Sequence, residues 1–205
     1  MYVTSLLLDA LVVNKLANVH SMSMSVSTFI FPFSYFFGDI ITEVYGYKIS
    51  RQLVWTGLAA MAVFCILGAL LSYTPAPPYW HLQKAYGEVL RPLPRVFIGD
   101  LIAMNVGTFV NIYAISKWKI LTRGKYFWLR SLGSSAIGEG IFTILAFGIV
   151  LGAVMPFHQL LEAMFLSYIF KFFFIVVAVV PATFIVSFLK SKEGIDIYDY
   201  ETNFS

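Results

Sequence analysis

Six long apolar stretches restrict what this chain can fold into more than any other feature of its sequence. They cover residues 3–19, 26–42, 52–73, 96–116, 132–153 and 159–189. Each has about the length that an α-helix needs to cross roughly 30 Å of hydrocarbon. The sequence therefore predicts an all-α fold, a polytopic membrane protein built as a six-transmembrane-helix bundle.

The composition supports this prediction. Hydrophobic residues make up 59% of the 205 residues and charged residues only 12%, roughly half the charged fraction of a typical soluble domain. We expect a single transmembrane domain over residues 1–192. The sixth apolar stretch is too long for one straight crossing, so we expect it to start in the interface, to tilt, or to kink near Pro181. Residues 193–205 form a short cytoplasmic tail, which we expect to be poorly ordered. Its acids are Glu193, Asp196, Asp199 and Glu201.

Basic residues between the apolar stretches predict the orientation. Nine of them would share one side of the membrane: Lys48, Arg51, Lys117, Lys119, Arg123, Lys125, Arg130, Lys190 and Lys192. The opposite loops contain chiefly Lys84 and Arg91, with Arg95 at a helix start. Because loops rich in Lys and Arg stay in the cytoplasm, both termini should be cytoplasmic. We interpret these residues as topology signals, so the expected partner is the lipid bilayer and no nucleic acid.

The loops predict no metal site and no cofactor. His20, His81 and His158 would lie in three separate outward loops, without the ligand spacing of a metal site. The outward loop over residues 74–91 contains several prolines and aromatic residues. Two interpretations stay open for it, an interfacial segment or a lid over an outer vestibule. The amino terminus lacks a basic region and a cleavage site, so we expect a retained helix rather than a signal peptide.

Charged residues inside or beside the apolar stretches indicate a polar interior. They are Asp9, Lys15, Asp39, Glu43, Arg95, Asp100, Glu139, Glu162 and Lys171. An ionisable group at membrane depth costs at least about 2.5 kcal/mol on insertion scales, so such groups face the bundle interior or a substrate path. The sequence therefore predicts a polar cavity inside the bundle.

The strongest candidates lie on the second, fifth and sixth helices. Asp39 and Glu43 are four residues apart, so both carboxylates share one helical face with Tyr35. Glu43 has a second interpretation, a helix-end charge at the cytoplasmic interface. Lys171 should pair with Asp39, Glu43 or Glu139, because an intramembrane lysine usually has a carboxylate partner. A purely structural ion pair is the alternative.

Further candidates follow from spacing along the fourth and sixth helices. Arg95 opens the fourth helix, and Thr108 and Asn111 follow on it, while Tyr168 precedes Lys171 by about one turn. Three acids directly follow a glycine: Gly38-Asp39, Gly99-Asp100 and Gly138-Glu139. We expect helices to approach closely at these glycines. Most aromatic residues before Asp39 should pack against helices or lipid, although one or two could stack on a planar ligand.

Several of these residues belong to a longer pattern. Its core is Phe31-Pro32-Phe33 followed by Gly38-Asp39-Ile40-Ile41-Thr42-Glu43-Val44-Tyr45-Gly46 and then Arg51. Further along the chain the pattern continues with Arg95 and Gly107, with Trp128-Leu129-Arg130, and with Glu162, Tyr168, Lys171 and Pro181. Over nearly its whole length the chain resembles the queuosine precursor transporters, also called the putative vitamin uptake transporter family. Asn14 falls where the first helix of that family carries a polar residue.

The resemblance implies a multi-pass transporter of the bacterial inner membrane, not an enzyme, similar in helix count and size to the substrate-binding subunits of energy-coupling-factor transporters. It implies import of a purine-like base, 7-cyano-7-deazaguanine, another 7-deazaguanine or queuine, by alternating access around a polar midplane pocket. The implied substrate-binding residues are Asn14, Tyr35, Asp39, Glu43, Arg95, Thr108, Asn111, Glu139, Tyr168 and Lys171. The adjacent N–H donors of a guanine-like edge suit one carboxylate. A homodimer is compatible with the sequence.

The chain departs from the family pattern inside the implied pocket. Thr108 and Asn111 stand where the family carries Gln and Asp, and Phe142 and Ser167 each stand where it often carries Asp. The substrate could therefore be another vitamin or nucleobase, or the chain could be a binding subunit that needs a shared ATP-driven module. A remote alternative is an intramembrane enzyme with a carboxylate pair, although the first glycine of the Gly-x-Gly-Asp protease motif is absent at Phe36.

Overall fold

A computed structural model describes residues 1–19 and 22–200 of the chain, so His20 and Glu201 lie outside the described residues. Within these ranges the structure has seven α-helices and one antiparallel strand pair. The elements are α1 (Tyr2–Val12), β1 (Leu16–Val19), β2 (Met22–Ser25), a 3₁₀ turn (Val26–Phe29), α2 (Pro32–Leu71), α3 (Gln83–Leu90), α4 (Leu93–Ala103), a π-helical segment (Met104–Thr108), α5 (Phe109–Leu121), α6 (Phe127–Val150) and α7 (Phe157–Glu193).

The described part of the chain contains four helical stretches that are long and apolar enough to cross a membrane. They are Val26–Leu71, Gln83–Leu121, Phe127–Val150 and Phe157–Glu193. The protein is therefore mostly helical, as the apolar stretches predict. The count of six crossings and the cytoplasmic position of both termini stay predictions.

Helix α2 folds back on itself at Gly46. The backbone there has φ 81° and ψ 176°, a conformation outside the helical region that strains any residue with a Cβ atom. The Tyr2 ring of α1 lies within about 4 Å of where Cβ atoms would stand on both Gly38 and Gly57, whereas a straight helix would separate these glycines by about 28 Å. α2 is therefore a helical hairpin. Its limbs, residues 32–45 and 47–71, correspond to the second and third predicted stretches.

The predicted bounds of the first helix, residues 3–19, are wrong, because the helix ends at Val12. α1 is only 11 residues long, about 16 Å, and the chain then enters the β1–β2 pair, in which Leu16 lies opposite Ser25. The Ser25 hydroxyl donates to the carbonyl of Val13 at 2.6 Å, which ties the strand pair to the end of α1. The alternation Met-Ser-Met-Ser over residues 22–25 has the two-residue period of a strand, and this signal was overlooked. The all-α description therefore needs this one exception.

Glycines bring the central helices into close contact. A Cβ atom on Gly107 would lie 2.6 Å from the carbonyl oxygen of Gly138, and one on Gly99 would lie 2.6 Å from the Val150 side chain. Gly107 belongs to the π-helical segment, a wide helical turn of the kind that is frequent at functional sites. The expected close approach beside glycine-acid pairs is confirmed at Gly99 and Gly138.

Helix α7 is the longest helix after the α2 hairpin. It spans 37 residues, about 55 Å, which exceeds the thickness of the hydrocarbon core. Pro181 lies inside it, where the missing N–H removes one helical hydrogen bond. Gly194 ends the helix in the left-handed conformation, with φ 67°, as is common at helix carboxyl ends.

The tail after α7 contacts the rest of the protein through Ile197 and Asp199, and its expected poor order stays a prediction. The Ile197 N–H donates to the carbonyl of Val44 at 3.3 Å, and the Tyr47 N–H donates to the Asp199 carboxylate at 2.9 Å. A Cβ atom on Gly46 would lie 2.9 Å from the Ile197 side chain. The tail therefore packs over the break in α2, where the interrupted helix leaves backbone groups free to bond.

The loop between α2 and α4 is mostly exposed. Tyr79 is 78% exposed and Trp80 42%, and α3 adds a short helix to this loop. The Arg91 guanidinium lies 4.7 Å from the centre of the Tyr73 ring. Exposed aromatic residues suit an interfacial segment, and the lid interpretation stays a prediction.

Candidate functional site

Asp39 is the centre of a buried hydrogen-bond network between α2, α5 and α6. Its side chain is 3% exposed. The Asn111 amide donates to one carboxylate oxygen at 2.8 Å. The Ser135 hydroxyl donates to the other oxygen at 2.8 Å, and the Ser131 hydroxyl donates to the same atom. All three of these donors are neutral. We call these four residues the Asp39 cluster.

Two narrow crevices meet at Tyr35, which lines both of them. The first is lined by Asp39, Ser131 and Ser135 among others, and the second by Tyr2, Thr108 and Asn111 among others. Each crevice has a cavity volume of only about 10 Å³, which is room for about one water molecule. A ligand much larger than water therefore enters only if the helices separate.

A second cluster surrounds Lys171 on α7. Its ammonium group pairs with the Glu139 carboxylate, and neither side chain is more than 1% exposed. Lys171 also donates to the Thr143 hydroxyl at 3.3 Å, and it lies 4.8 Å and 5.3 Å from the ring centres of Phe31 and Phe142, within cation–π range. These two rings stack on each other at 3.9 Å. Of the three partners expected for Lys171, the structure selects Glu139.

Two further acids reach this cluster from other helices. Asp9 of α1 and Asp100 of α4 interact electrostatically with Lys171 and with each other, and each is 2% exposed. Asp9, Asp100 and Glu139 each keep one carboxyl oxygen without a hydrogen-bond partner among residues 1–19 and 22–200. We call Asp9, Asp100, Glu139 and Lys171 the deep acid cluster. The sequence showed Asp9 and Asp100 as charges in apolar stretches, but we did not assign them to the site.

A third cluster surrounds Glu43, which is fully buried. The Arg130 guanidinium donates to both carboxylate oxygens at 2.6 Å and 3.0 Å, and Lys190 pairs with one of them at 2.6 Å. Lys119 donates to the Glu43 carbonyl at 2.6 Å. Asp196 of the tail pairs with Lys119 at 2.6 Å and with Lys190 at 2.9 Å. We call these five residues the end cluster.

The end cluster lies apart from the deep acid cluster. On α6, Arg130 and Glu139 are separated by about 13 Å of helix rise. Asp39 and Glu43 share a helical face, as predicted, but one is held by neutral donors and the other by cations. Glu43 thus occupies an ion network, whereas Asp39 adjoins a crevice. Arg130 had been interpreted as a loop charge, although its place at the start of an apolar helix was a signal for a buried role.

The tail aspartate is electrostatically coupled to the end cluster. Partial burial raises the pKa of Asp196, but the hydrogen bonds from Lys119 and Lys190 outweigh this effect and hold the pKa below its usual value. The docked tail therefore favours the ionised carboxylate.

Three predicted site residues belong neither to these clusters nor to the lining of the two crevices. Asn14 lies in the turn after α1. The Arg95 side chain keeps its buried Nε without a partner among the described residues. The Tyr168 hydroxyl donates to the carbonyl of Ala136 at 3.3 Å, and its ring packs beside Phe172. Their assignment to the site still rests on the resemblance.

Within residues 1–19 and 22–200, no three His, Cys, Asp or Glu side chains converge as metal ligands would. Of the three histidines in the sequence, His158 lies 3.3 Å from Glu162, an exposed pair one turn apart on α7.

The chain was also compared with known proteins. A family model described as "Putative vitamin uptake transporter" matches residues 25–186, which include Asp39, Asn111, Glu139 and Lys171. The "Probable queuosine precursor transporter" of Bacillus subtilis (strain 168) is 25% identical over 161 residues, covering 77% of this chain and 69% of that protein. No solved structure matches the chain significantly. The family match covers more than half of the chain, so this protein belongs to the putative vitamin uptake transporter family, whose members are membrane transporters and not enzymes.

Proposed function

We propose that this protein imports a purine-like base across a bacterial inner membrane, and that the substrate is a queuosine precursor such as 7-cyano-7-deazaguanine or queuine. The name of the Bacillus subtilis relative, a "Probable queuosine precursor transporter", supports this substrate class. The observation that carries the proposal is the Asp39 carboxylate, buried at the edge of a crevice and held by neutral donors only.

The chemistry of the Asp39 cluster suits such a base. A guanine-like edge presents two adjacent N–H donors, which one carboxylate accepts as a pair. These donors would replace the Asn111 amide on one carboxylate oxygen and the serine hydroxyls on the other. The Asn111 amide and the Thr108 hydroxyl are then available as donors to the carbonyl and ring nitrogen of the base.

Transport by alternating access accounts for the closed crevices. Neither crevice has room for a base in this conformation. Tyr35 and the hydrogen bond from Asn111 to Asp39 stand between the two crevices. We propose that the helices on either side of this partition separate in turn, so that Asp39 is exposed by one route and then by the other.

Calorimetry on the purified protein tests the substrate class. A panel of queuine, 7-cyano-7-deazaguanine, guanine and common vitamins should show binding of the deazaguanines. Asp39→Asn should weaken that binding by about 1.5–3 kcal/mol, roughly 10- to 150-fold, because a charge-assisted hydrogen bond is lost in a desolvated site. Glu88→Gln, a change to a side chain that is 68% exposed on α3, is the matched control.

Two outcomes would contradict the proposal. One is binding of a vitamin outside this class in preference to every base. The other is equal affinity of the Asp39→Asn variant and the control. Uptake into proteoliposomes that contain only this protein separates a self-sufficient importer from a binding subunit that needs an ATP-driven module.

A further inference from the structure

The deep acid cluster contains more acids than bases. Asp9, Asp100 and Glu139 bring three carboxyl groups from three helices, and Lys171 brings one ammonium group. All four side chains are at most 2% exposed. Three ionised carboxylates beside one ammonium would leave two uncompensated negative charges in a desolvated interior, which is a costly arrangement.

The cluster also contains buried polar atoms that its own ion pair does not satisfy. One oxygen of each carboxyl group lacks a hydrogen-bond partner among the described residues. Glu139 is the charged group that acts most strongly on Tyr35. A purely structural network would be expected to satisfy these atoms.

Protons fit this cluster better than a metal cation does. A hard cation needs several oxygen ligands around one point, and within residues 1–19 and 22–200 no three acidic, His or Cys side chains converge in that way. Protons, by contrast, bind to separate carboxyl groups one at a time. The excess of two carboxyl groups over Lys171 therefore corresponds to two proton sites.

We propose that the deep acid cluster is the proton-coupling site of the transporter. Glu139 remains paired with Lys171, while Asp9 and Asp100 each take up a proton as a carboxylic acid and release it as a carboxylate during the transport cycle. This proposal rests on the proposed function, because it supplies the ion that would drive import of the base.

The groups that face this cluster come from every helix packed around it. Besides its own members they are Tyr35 and Cys65 of α2. These phenol and thiol groups are neutral near pH 7 in ordinary surroundings. Tyr35 is acted on by both Glu139 and Asp39, and it lines both substrate crevices. A change of charge in the deep acid cluster is thus transmitted to the substrate site through one side chain.

Infrared spectroscopy tests the protonation without any substrate. The wild-type protein at pH 7 should show the absorption of protonated carboxylic acids. Asp9→Asn and Asp100→Asn should each remove about half of it, whereas Glu88→Gln on the exposed face of α3 should remove none. Absence of the absorption in the wild type, or its persistence in both variants, would overturn the proposal. If a variant does not fold, the wild-type protein alone tests the protonation, because its carboxylic-acid absorption should be lost as the pH rises.

Transport in proteoliposomes tests the coupling. With 7-cyano-7-deazaguanine as the probe, an inward proton gradient should raise accumulation, and Asp100→Asn should reduce this accumulation at least tenfold more than it reduces exchange without a gradient. Accumulation driven equally well without a proton gradient, or by sodium instead, would refute proton coupling but leave the proposed substrate intact. If the wild type binds none of the bases, the proposed function fails, and the infrared result still decides whether the acids are protonated.

Discussion

Lys171 on α7 pairs with Glu139 on α6 inside the bundle, where neither side chain is more than 1% exposed. The rings of Phe31, Phe142 and Phe147 lie 4.8–5.4 Å from the ammonium group. This pair ties the last helix to the interior that also contains Asp9 and Asp100. A lysine in such surroundings stays charged only beside its carboxylate, and a carboxyl group left without the lysine can become neutral by taking up a proton.

Lys171→Met should therefore damage transport more than stability. We expect uptake to fall at least about tenfold, which corresponds to about 1.4 kcal/mol in the transport barrier, while the melting temperature falls by only a few degrees. Lys84→Met, at a lysine that is 90% exposed, is the control. Adding Glu139→Gln to Lys171→Met should recover stability but not uptake. Near-normal uptake with a collapsed melting temperature would show that the lysine is purely structural.

Glu43→Gln should act mainly on stability. Removing this carboxylate leaves Arg130 and Lys190 without their buried partner, and breaking such a pair costs about 3–5 kcal/mol. The free energy of unfolding in denaturant is the measurement, with substrate affinity as the second readout. If affinity falls as far as in Asp39→Asn while stability is kept, Glu43 binds substrate, as the family resemblance implies.

The docked tail should be released in acid. Because the pKa of Asp196 is depressed in the folded protein, its contribution is fully present above the unfolded value of about 4 and is lost as the pH falls below it. Hydrogen exchange of the Ile197 and Tyr47 amides, which bond across the docked tail, should lose protection in that range. Asp196→Asn should lower their protection already at neutral pH. Unchanged protection in the variant would show that backbone contacts hold the tail without the end cluster.

Labelling from outside intact cells should decide the orientation. Single Lys84→Cys and Lys125→Cys variants, in a Cys65→Ala background because Cys65 is the one cysteine in the sequence, place a thiol on each predicted side. An impermeant reagent should modify the Lys84→Cys variant and spare the Lys125→Cys variant. The reverse pattern would show that the excess of basic residues faces outward.

Local hydropathy accounts for what could be predicted of the helices. The stretches 96–116 and 159–189 lie within helical segments of the structure, and 132–153 extends only three residues beyond the end of α6 at Val150. Long apolar sequences favour helices in lipid, where every backbone group has to bond within the segment. The first stretch failed because hydropathy alone does not separate an apolar helix from a short strand pair. The turn at Gly46 falls where a loop is predicted, between the second and third apolar stretches, although nothing in the sequence singles out this glycine as the turning point.

The candidate site was predictable only in part, for a related reason. The cost of placing a charge in lipid depends on the residue alone. Asp39, Glu139 and Lys171 could therefore be identified from the sequence as candidate site residues. Ser131 and Ser135 carry no such cost, and their contacts with Asp39 depend on how α6 lies against α2. Asp9 and Asp100 stood out as charges, but nothing local placed them beside Lys171.

The sequence by itself determined that this chain is a membrane protein with a charged interior and, through its motifs, the family to which it belongs. Only the tertiary structure decided how the interior charges divide into the Asp39 cluster, the deep acid cluster and the end cluster. It also decided that the acidic tail completes the last of these. The physical reason is distance. The preference of an apolar residue for lipid, and the cost of a charge there, depend on that residue alone. Which charged residues pair depends on how the helices lie against each other, and the spacing of residues along the chain does not specify this.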